Sequence, residues 1–165
     1  MRKVKAKELT REDFSVYGTF AQLINPETVR IGDEPIEFFR DMIRLDLGID
    51  TKASFSVCRV LKRPPVVDLI EYHDGCGEGI LPLDTDILIH VAPATPRGEI
   101  PLDRIEAFRV PRGTFVSLSR GVWHHAPFAL DGGVANVLIV LPERTYATDC
   151  EVYEIPKDQR TEIEA

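Results

Sequence analysis

From residue 53 onward the chain is a succession of short apolar runs, each bounded by proline, glycine or aspartate. Such runs predict the strands of an all-β sandwich or barrel, and no helical stretch separates them as a parallel α/β sheet would require. The predicted strands cover residues 53–61, 66–73, 86–92, 105–110, 114–118, 122–130, 134–141 and 150–155.

The segment before these runs predicts one short helix. Thr10 is a suitable N-cap, Asp13 follows in the first turn, and Tyr17-Gly18 ends the helix. Proline and glycine interrupt any longer period between residues 24 and 50. At 165 residues the chain has the usual length of one domain, so we expect a single domain over residues 1–165.

The charge balance bears on partners and location. The 27 acidic and 20 basic residues give a formal net charge of −7, which argues against nucleic-acid binding. No apolar run approaches the ~20 residues that cross a bilayer, and the basic start lacks the apolar stretch of a secretory signal. We therefore expect a cytoplasmic protein without a membrane role. Its cysteines, Cys58, Cys76 and Cys150, are expected to be reduced thiols.

Three ligand-capable residues lie where one predicted strand enters a glycine-rich turn. Alternation along the strand places Glu71 and His73 on one face and Tyr72 on the other, and Glu78 follows across the turn. If that face points into a barrel, a metal ion such as zinc, manganese, iron or nickel would satisfy these side chains. If that face is exposed to solvent instead, the three side chains are simply hydrated.

A second candidate stretch runs from Arg120 into an aromatic strand. Adjacent histidines in a strand face opposite ways, so only one of His124 and His125 points inward. The inward histidine is a candidate ligand or base. Trp123 has the character of a core side chain, and His90, in an apolar strand, that of a structural histidine.

Basic residues on this acidic chain could anchor a small carboxylate. Arg59 lies among apolar residues and either clamps an anionic substrate with its fork of donors or reaches solvent from the strand end. Lys62, Arg63 and Arg120 add positive charge nearby.

Several segments together resemble the ureidoglycolate lyase family, whose members are cupins. The landmarks follow the family's order over nearly the whole chain, and the Trp123-His124-His125 segment is the most specific. They are Asp13-Phe14-Ser15-Val16-Tyr17-Gly18, Arg59 with Pro64, Glu71-Tyr72-His73 with Pro82, Phe108, residues 121–128, and Asp149-Cys150-Glu151. The resemblance implies a cupin-type double-stranded β-helix, a jelly-roll barrel with a short N-terminal helix.

The resemblance also implies a set of metal ligands. In cupins a first motif supplies His-x-His and then a Glu, and a second motif supplies one His after a glycine turn. On this sequence Glu71 and His73 stand at the first two positions, Glu78 at the third and His124 at the last. A divalent ion (nickel, zinc or manganese) held by these four residues is expected.

The family splits ureidoglycolate into glyoxylate and urea in purine (allantoin) catabolism, so the resemblance implies a lyase. Glu78 either binds the metal or acts as the base. The residues expected to act in catalysis are Glu78, His124 and Arg59, and those expected to bind the small carboxylate substrate are Arg59, Lys62, Arg120 and Trp123.

Two other functions remain open from the sequence. The chain could be a metal-dependent cupin isomerase or epimerase acting on another small hydroxy or sugar acid, or a non-catalytic metabolite-binding cupin. Cupin barrels often pair through a sheet face or an exchanged N-terminal strand, so the resemblance further implies a homodimer.

Overall fold

The computed structural model describes residues 1–130 and 133–164, and within them the chain is built almost wholly from strands. In chain order these are β1 (Arg2–Glu8), β2 (Gly18–Gln22), β3 (Ala53–Leu61), β4 (Val66–Val67), β5 (Leu69–Tyr72), β6 (Glu78–Pro82), β7 (Ile87–Ala92), β8 (Glu106–Val110), β9 (Thr114–Leu118), β10 (Trp123–His124), β11 (Phe128–Ala129), β12 (Val134–Pro142), β13 (Glu151–Glu154) and β14 (Thr161–Glu164). Two short α-helices, α1 (Arg11–Phe14) and α2 (Thr145–Thr148), and a 3₁₀ turn at Leu102–Arg104 complete the elements.

The strands form two curled sheets, which confirms the predicted all-β barrel. The smaller sheet has the order β2-β9-β6-β12-β3. The larger follows the order β13-β5-β10-β7-β8-β1-β14-β4, with β11 beside β7. Most neighbours are antiparallel, and β1 pairs in parallel with β8 and β14.

Two apolar clusters hold these sheets together. The first fills the barrel between the sheets and includes Val60, Ile80, Val116 and Val137 of the smaller sheet and Ile89 of the larger one. The second cluster lies on the opposite face of the larger sheet. Along β7, Leu88 and Ala92 belong to the second cluster and Ile87, Ile89 and Val91 to the first, as strand alternation requires.

The predicted N-terminal helix is confirmed. Thr10 is its N-cap, and its side-chain oxygen accepts a hydrogen bond from the backbone N–H of Asp13 at 3.1 Å. Phe14 is fully buried in the barrel core and meets Phe108 edge to face at 5.1 Å between ring centroids. The helix thus contributes Phe14 to the barrel core.

The predicted strands at 53–61 and 114–118 match β3 and β9, whereas other predictions need correction. The runs 66–73 and 122–130 are each divided into two short strands, and β1, β2, β6 and β14 were not predicted. Among the described residues, no helix is long and apolar enough to span a membrane.

Candidate active site

The candidate ligands meet inside the barrel because three strands bring them there. His124 on β10 is paired directly with Glu71 on β5, and Glu78 begins β6 in the opposite sheet. His73 follows β5 by one residue, and its carbonyl accepts a hydrogen bond from the N–H of Gly121, which joins the two turns. His73, Glu78 and His124 are buried, and Glu71 is half-buried.

Strand alternation is observed as predicted around this cluster. Tyr72 and Trp123 point away from the barrel interior and pack on each other in the second apolar cluster, with ring centroids 4.5 Å apart. Their positions fix Glu71 and His124 on the inner face of the larger sheet.

Both histidines are oriented by backbone carbonyls. The Nδ1 of His73 is 2.6 Å from the carbonyl oxygen of Asp149, and the Nδ1 of His124 is 2.8 Å from that of Val122. A carbonyl only accepts, so each Nδ1 carries the proton and donates. Each Nε2 therefore points into the cluster, where it lies 3.1 Å from the same oxygen, Oε2 of Glu78.

Charge is concentrated in this buried cluster. Burial by itself would raise the pKa of the Glu78 carboxyl, but the adjacent His124 and His73 imidazoles lower that pKa to about 2. Burial would likewise lower the pKa of His124, yet the Glu78 carboxylate raises it to about 9. Without a metal, the site thus places an imidazolium against a carboxylate inside the barrel.

The chemistry of the donor set fits a divalent cation. Ligand atoms of Glu71, His73 and His124 all lie within 4.8 Å of one another, so these three residues could hold a metal ion. Carboxylate oxygens and imidazole nitrogens suit zinc, nickel, manganese and iron. A buried group with two carboxylates also needs positive charge, which the His124 proton supplies in the metal-free site.

A cavity of about 200 Å³, here called the mouth cavity, is lined by residues of β3, β12 and α2 and by none of the four cluster residues. Cys58 lines it, and the pKa of the Cys58 thiol is raised by burial and by the negative charges of Glu78 and Glu71. The remaining wall comes from β3, from β12 and from the start of α2. It consists of Ser54, Ser56, Val57, Ile139, Leu141, Pro142, Arg144, Thr145 and Tyr146.

The basic residues predicted to bind substrate do not converge on the cluster. Arg59 is exposed on β3 between Cys58 and Val60, both of which contact the barrel core, so its side chain lies on the outer face of the sheet. Lys62 is also exposed. Arg120 forms a two-point ion pair with Asp46, with N–O distances of 2.6 and 2.8 Å, which occupies its guanidinium.

Three further residues singled out from the sequence make contacts away from the cluster. Trp123 is buried, and its indole N–H donates to the Thr95 hydroxyl at 2.9 Å. Arg63 donates to the carbonyls of Ala126 and Pro127 and lies over the Phe128 ring. His125 is half-buried and lines a different cavity on the outside of the barrel.

Sequence reasoning missed the contributions of β13 and the turn before it. The Cys150 thiol donates to Oε2 of Glu71 at 3.3 Å, and the Asp149 carbonyl orients His73. The Asp149-Cys150-Glu151 segment stood out only as a landmark of resemblance, since no local pattern indicates which distant strand it will join.

Comparison with known proteins identifies the family. The family model described as ureidoglycolate lyase matches residues 1–163. The chain belongs to the ureidoglycolate lyase family. The predicted membership of this lyase family is therefore confirmed.

Individual ureidoglycolate lyases are similar over most of the chain. The protein from Burkholderia cepacia is 29% identical over 140 residues, covering 83% of this chain and 78% of the relative. The protein from Rhodobacter capsulatus is 29% identical over 141 residues, covering 83% of this chain and 86% of the relative. Both are named ureidoglycolate lyase.

A solved structure supports the cupin-type fold of this family member. A dTDP sugar isomerase from Desulfovibrio desulfuricans G20 aligns over 86% of this chain and 85% of its own, with a TM-score of 0.50 and 18% identity. At that identity the likeness concerns the fold alone.

Proposed function

We propose that this chain cleaves ureidoglycolate into glyoxylate and urea, using the buried cluster inside the barrel. Family membership over residues 1–163 supports the reaction. The single observation that carries the site is the convergence of both histidine Nε2 atoms on Glu78 Oε2 at 3.1 Å. Such a buried, charged and preorganised group is typical of an active site.

We assign metal binding to Glu71, His73 and His124, with Glu78 either completing the set or remaining beside it. When bound, a divalent ion supplies Lewis acidity, which lowers the pKa of a coordinated hydroxyl group. The two histidines can serve because each directs its Nε2 into the cluster while its Nδ1 is bound to a carbonyl, and Nε2 of His124 would release its proton when a metal ion binds. Nickel, zinc and manganese are the candidate ions.

Glu78 is the proposed proton carrier. Its carboxyl is ionised at neutral pH and can take up the hydroxyl proton of the substrate, and its basicity rises once the positive charge of His124, which lowers its pKa to about 2, is removed. As the C–O bond becomes a carbonyl, the C–N bond breaks and its electron pair goes to the ureido nitrogen. Glu78 then returns the proton to that nitrogen, so glyoxylate and urea form without consuming water.

The mouth cavity is the proposed substrate pocket. Its Ser54 and Ser56 side chains offer hydroxyl groups, and Arg144 brings a guanidinium to its wall. We assign carboxylate anchoring to Arg144 because it lines this cavity and Arg59 does not; the Arg144 guanidinium is exposed and lies 3.6 Å from the Glu143 carboxylate, with which a substrate would compete. The cavity volume of about 200 Å³ suits a small acid.

We further propose a homodimer that pairs through the outer face of the smaller sheet. Three apolar side chains of β3 are exposed there, with Phe55 at 69%, Val57 at 60% and Leu61 at 58%. Exposed apolar side chains that cluster on one sheet face mark an interaction surface, and here only Arg59 lies among them on that face. Phe55→Asp, at a position that does not line the proposed substrate pocket, should therefore yield monomers in light scattering coupled to size exclusion, whereas an unchanged mass would refute this pairing.

The proposal also places one cupin domain over residues 1–165 in the cytoplasm. The uninterrupted family match supports the first statement. The free thiols of Cys58, Cys76 and Cys150 agree with a reducing compartment.

The test is turnover of ureidoglycolate with Glu78→Gln and a matched surface control. Glu78→Gln keeps the size of the side chain and removes its basicity, so kcat should fall by ~10²- to 10⁴-fold. Glu154→Gln changes an exposed carboxylate on β13 and should leave kcat unchanged. Equal activity of Glu78→Gln and wild type would contradict the assigned role.

A further inference from the structure

The segment Asp149-Cys150 touches the candidate metal centre at several points. It lies between α2 and β13, and β13 pairs with β5 so that Val152 stands opposite Glu71. This pairing sets Asp149 and Cys150 beside the end of β5, where Glu71 and His73 are located. We infer that the Asp149-Cys150 segment is the positioning element of this centre, with the Cys150 thiol holding the Glu71 carboxylate in place.

The first contact is with Glu71. Cys150 Sγ lies 3.3 Å from Glu71 Oε2, and both side chains are partly buried. An ionised carboxylate only accepts, so the thiol is the donor. An ordinary thiol, with a pKa of about 8.5, is protonated at neutral pH and so has the proton to donate.

The second contact is with His73. The Asp149 carbonyl accepts from Nδ1 of His73 at 2.6 Å and thereby directs Nε2 toward the ligand group. This contact is made by backbone, so its strength depends on where β13 places the segment rather than on the Asp149 side chain.

The third set of contacts fixes the turn that leads from His73 to Glu78. The two carboxylate oxygens of Asp149 accept from the backbone N–H groups of Asp74 and Gly75, each at 2.9 Å. The turn has little room to move toward this carboxylate, because a Cβ at Gly75 would lie 3.1 Å from Asp149 Oδ2. One short segment thus secures a carboxylate, an imidazole and the connecting turn.

Outer contacts of this kind affect metal affinity strongly. Partners that orient metal ligands typically change affinity about 10- to 100-fold when they are removed. A thiol suits this role because it donates one weak hydrogen bond, which orients Glu71 while leaving most of its acceptor capacity free. The inference rests on the metal centre of the proposed function, and it is tested through metal binding rather than turnover.

The experiment titrates the chelator-treated full chain with Co²⁺ and follows the visible absorption of the bound ion. Cys150→Ala should weaken Co²⁺ affinity about 10- to 100-fold. Cys150→Ser keeps a donor and should stay close to wild type. Glu151→Ala is the matched control. Glu151 follows Cys150 in the chain, but its side chain is 58% exposed and pairs with Arg97 on the surface. Wild-type affinity in Cys150→Ala, or equal loss in Cys150→Ser, would overturn the inference.

An infrared measurement on the metal-free protein covers the case in which Cys150→Ala fails to fold. The S–H stretching band of Cys150 should shift when Glu71→Gln replaces the charged acceptor, and an unmoved band would refute the hydrogen bond. Wild-type protein that binds no Co²⁺ would overturn both the metal centre and this positioning role. Intact Co²⁺ binding without ureidoglycolate turnover would overturn only the proposed reaction.

Discussion

The charge pair between Glu78 and His124 makes a quantitative prediction for the metal-free protein. Both side chains are buried, and the carboxylate oxygen is 3.1 Å from Nε2 of the imidazole. The perturbation is Glu78→Gln, which keeps the side-chain shape and removes the charge. Without that charge burial dominates, so the pKa of His124 should fall from about 9 to below its ordinary 6.5.

The magnitude follows from linkage between protonation and folding. A rise in pKa from 6.5 to about 9 corresponds to roughly 3 kcal/mol, at ~1.4 kcal/mol per pH unit. Because the folded pKa is raised, this stabilisation is complete below pH 6.5 and is lost as pH rises through about 9. The lowered pKa of Glu78 reports the same ion pair at acid pH. Because this folded pKa is lowered, the stabilisation is lost as pH falls from 4.5 through about 2.

Two assays check this reasoning on chelator-treated protein. Nuclear magnetic resonance of the His124 ring should show titration near pH 9 in wild type and below 6.5 in Glu78→Gln. Urea unfolding should show a stability difference of roughly 3 kcal/mol near pH 6 that shrinks above pH 9. Unchanged His124 titration in Glu78→Gln, or a pH-independent stability difference, would refute the charge-pair argument.

Five further substitutions test the choice of histidine, the substrate pocket and the acid stability. His124→Ala should lose bound metal by elemental analysis, whereas His125→Ala should retain it, since His125 lines a cavity outside the barrel; the opposite result would exchange their roles. Arg144→Ala should raise KM for ureidoglycolate more than Arg59→Ala does, and equal kinetics would remove Arg144 from the pocket. His90→Leu should reduce the sensitivity of the fold to acid, because His90 is buried and burial lowers the pKa of its imidazole to about 3 despite the opposing effect of the Leu69 backbone. Its share of stability is present above pH 6.5 and is lost toward pH 3, so urea unfolding at pH 5 should favour His90→Leu, while a lower stability there would contradict this.

The fold was predictable from the sequence where strands are apolar and clearly bounded. Both β3 and β9 begin and end as predicted. By contrast, β1 carries charged side chains on its exposed positions, and only Val4 and Ala6 pack against the second cluster, so its pattern is weak. The sequence around the start of β6 predicts a turn, because it is rich in glycine. In the structure Gly79 is needed there, since a Cβ would lie 2.4 Å from the Phe115 ring.

The candidate site was predictable only in part. Alternation correctly paired Glu71 with His73 on one face, and the resemblance added Glu78 and His124 from distant segments. Alternation could not orient Arg59, because β3 carries apolar side chains on both of its faces. Phe55, Val57 and Leu61 on the outside look the same in sequence as a core-facing set.

The most direct test of the central claim is product formation by the purified protein before and after chelation. We predict that ureidoglycolate yields glyoxylate and urea in equal amounts, that chelation abolishes this turnover, and that one of nickel, zinc or manganese restores it. Full activity after verified metal removal would contradict the metal-dependent mechanism. Absence of both products with every ion would contradict the proposed function itself.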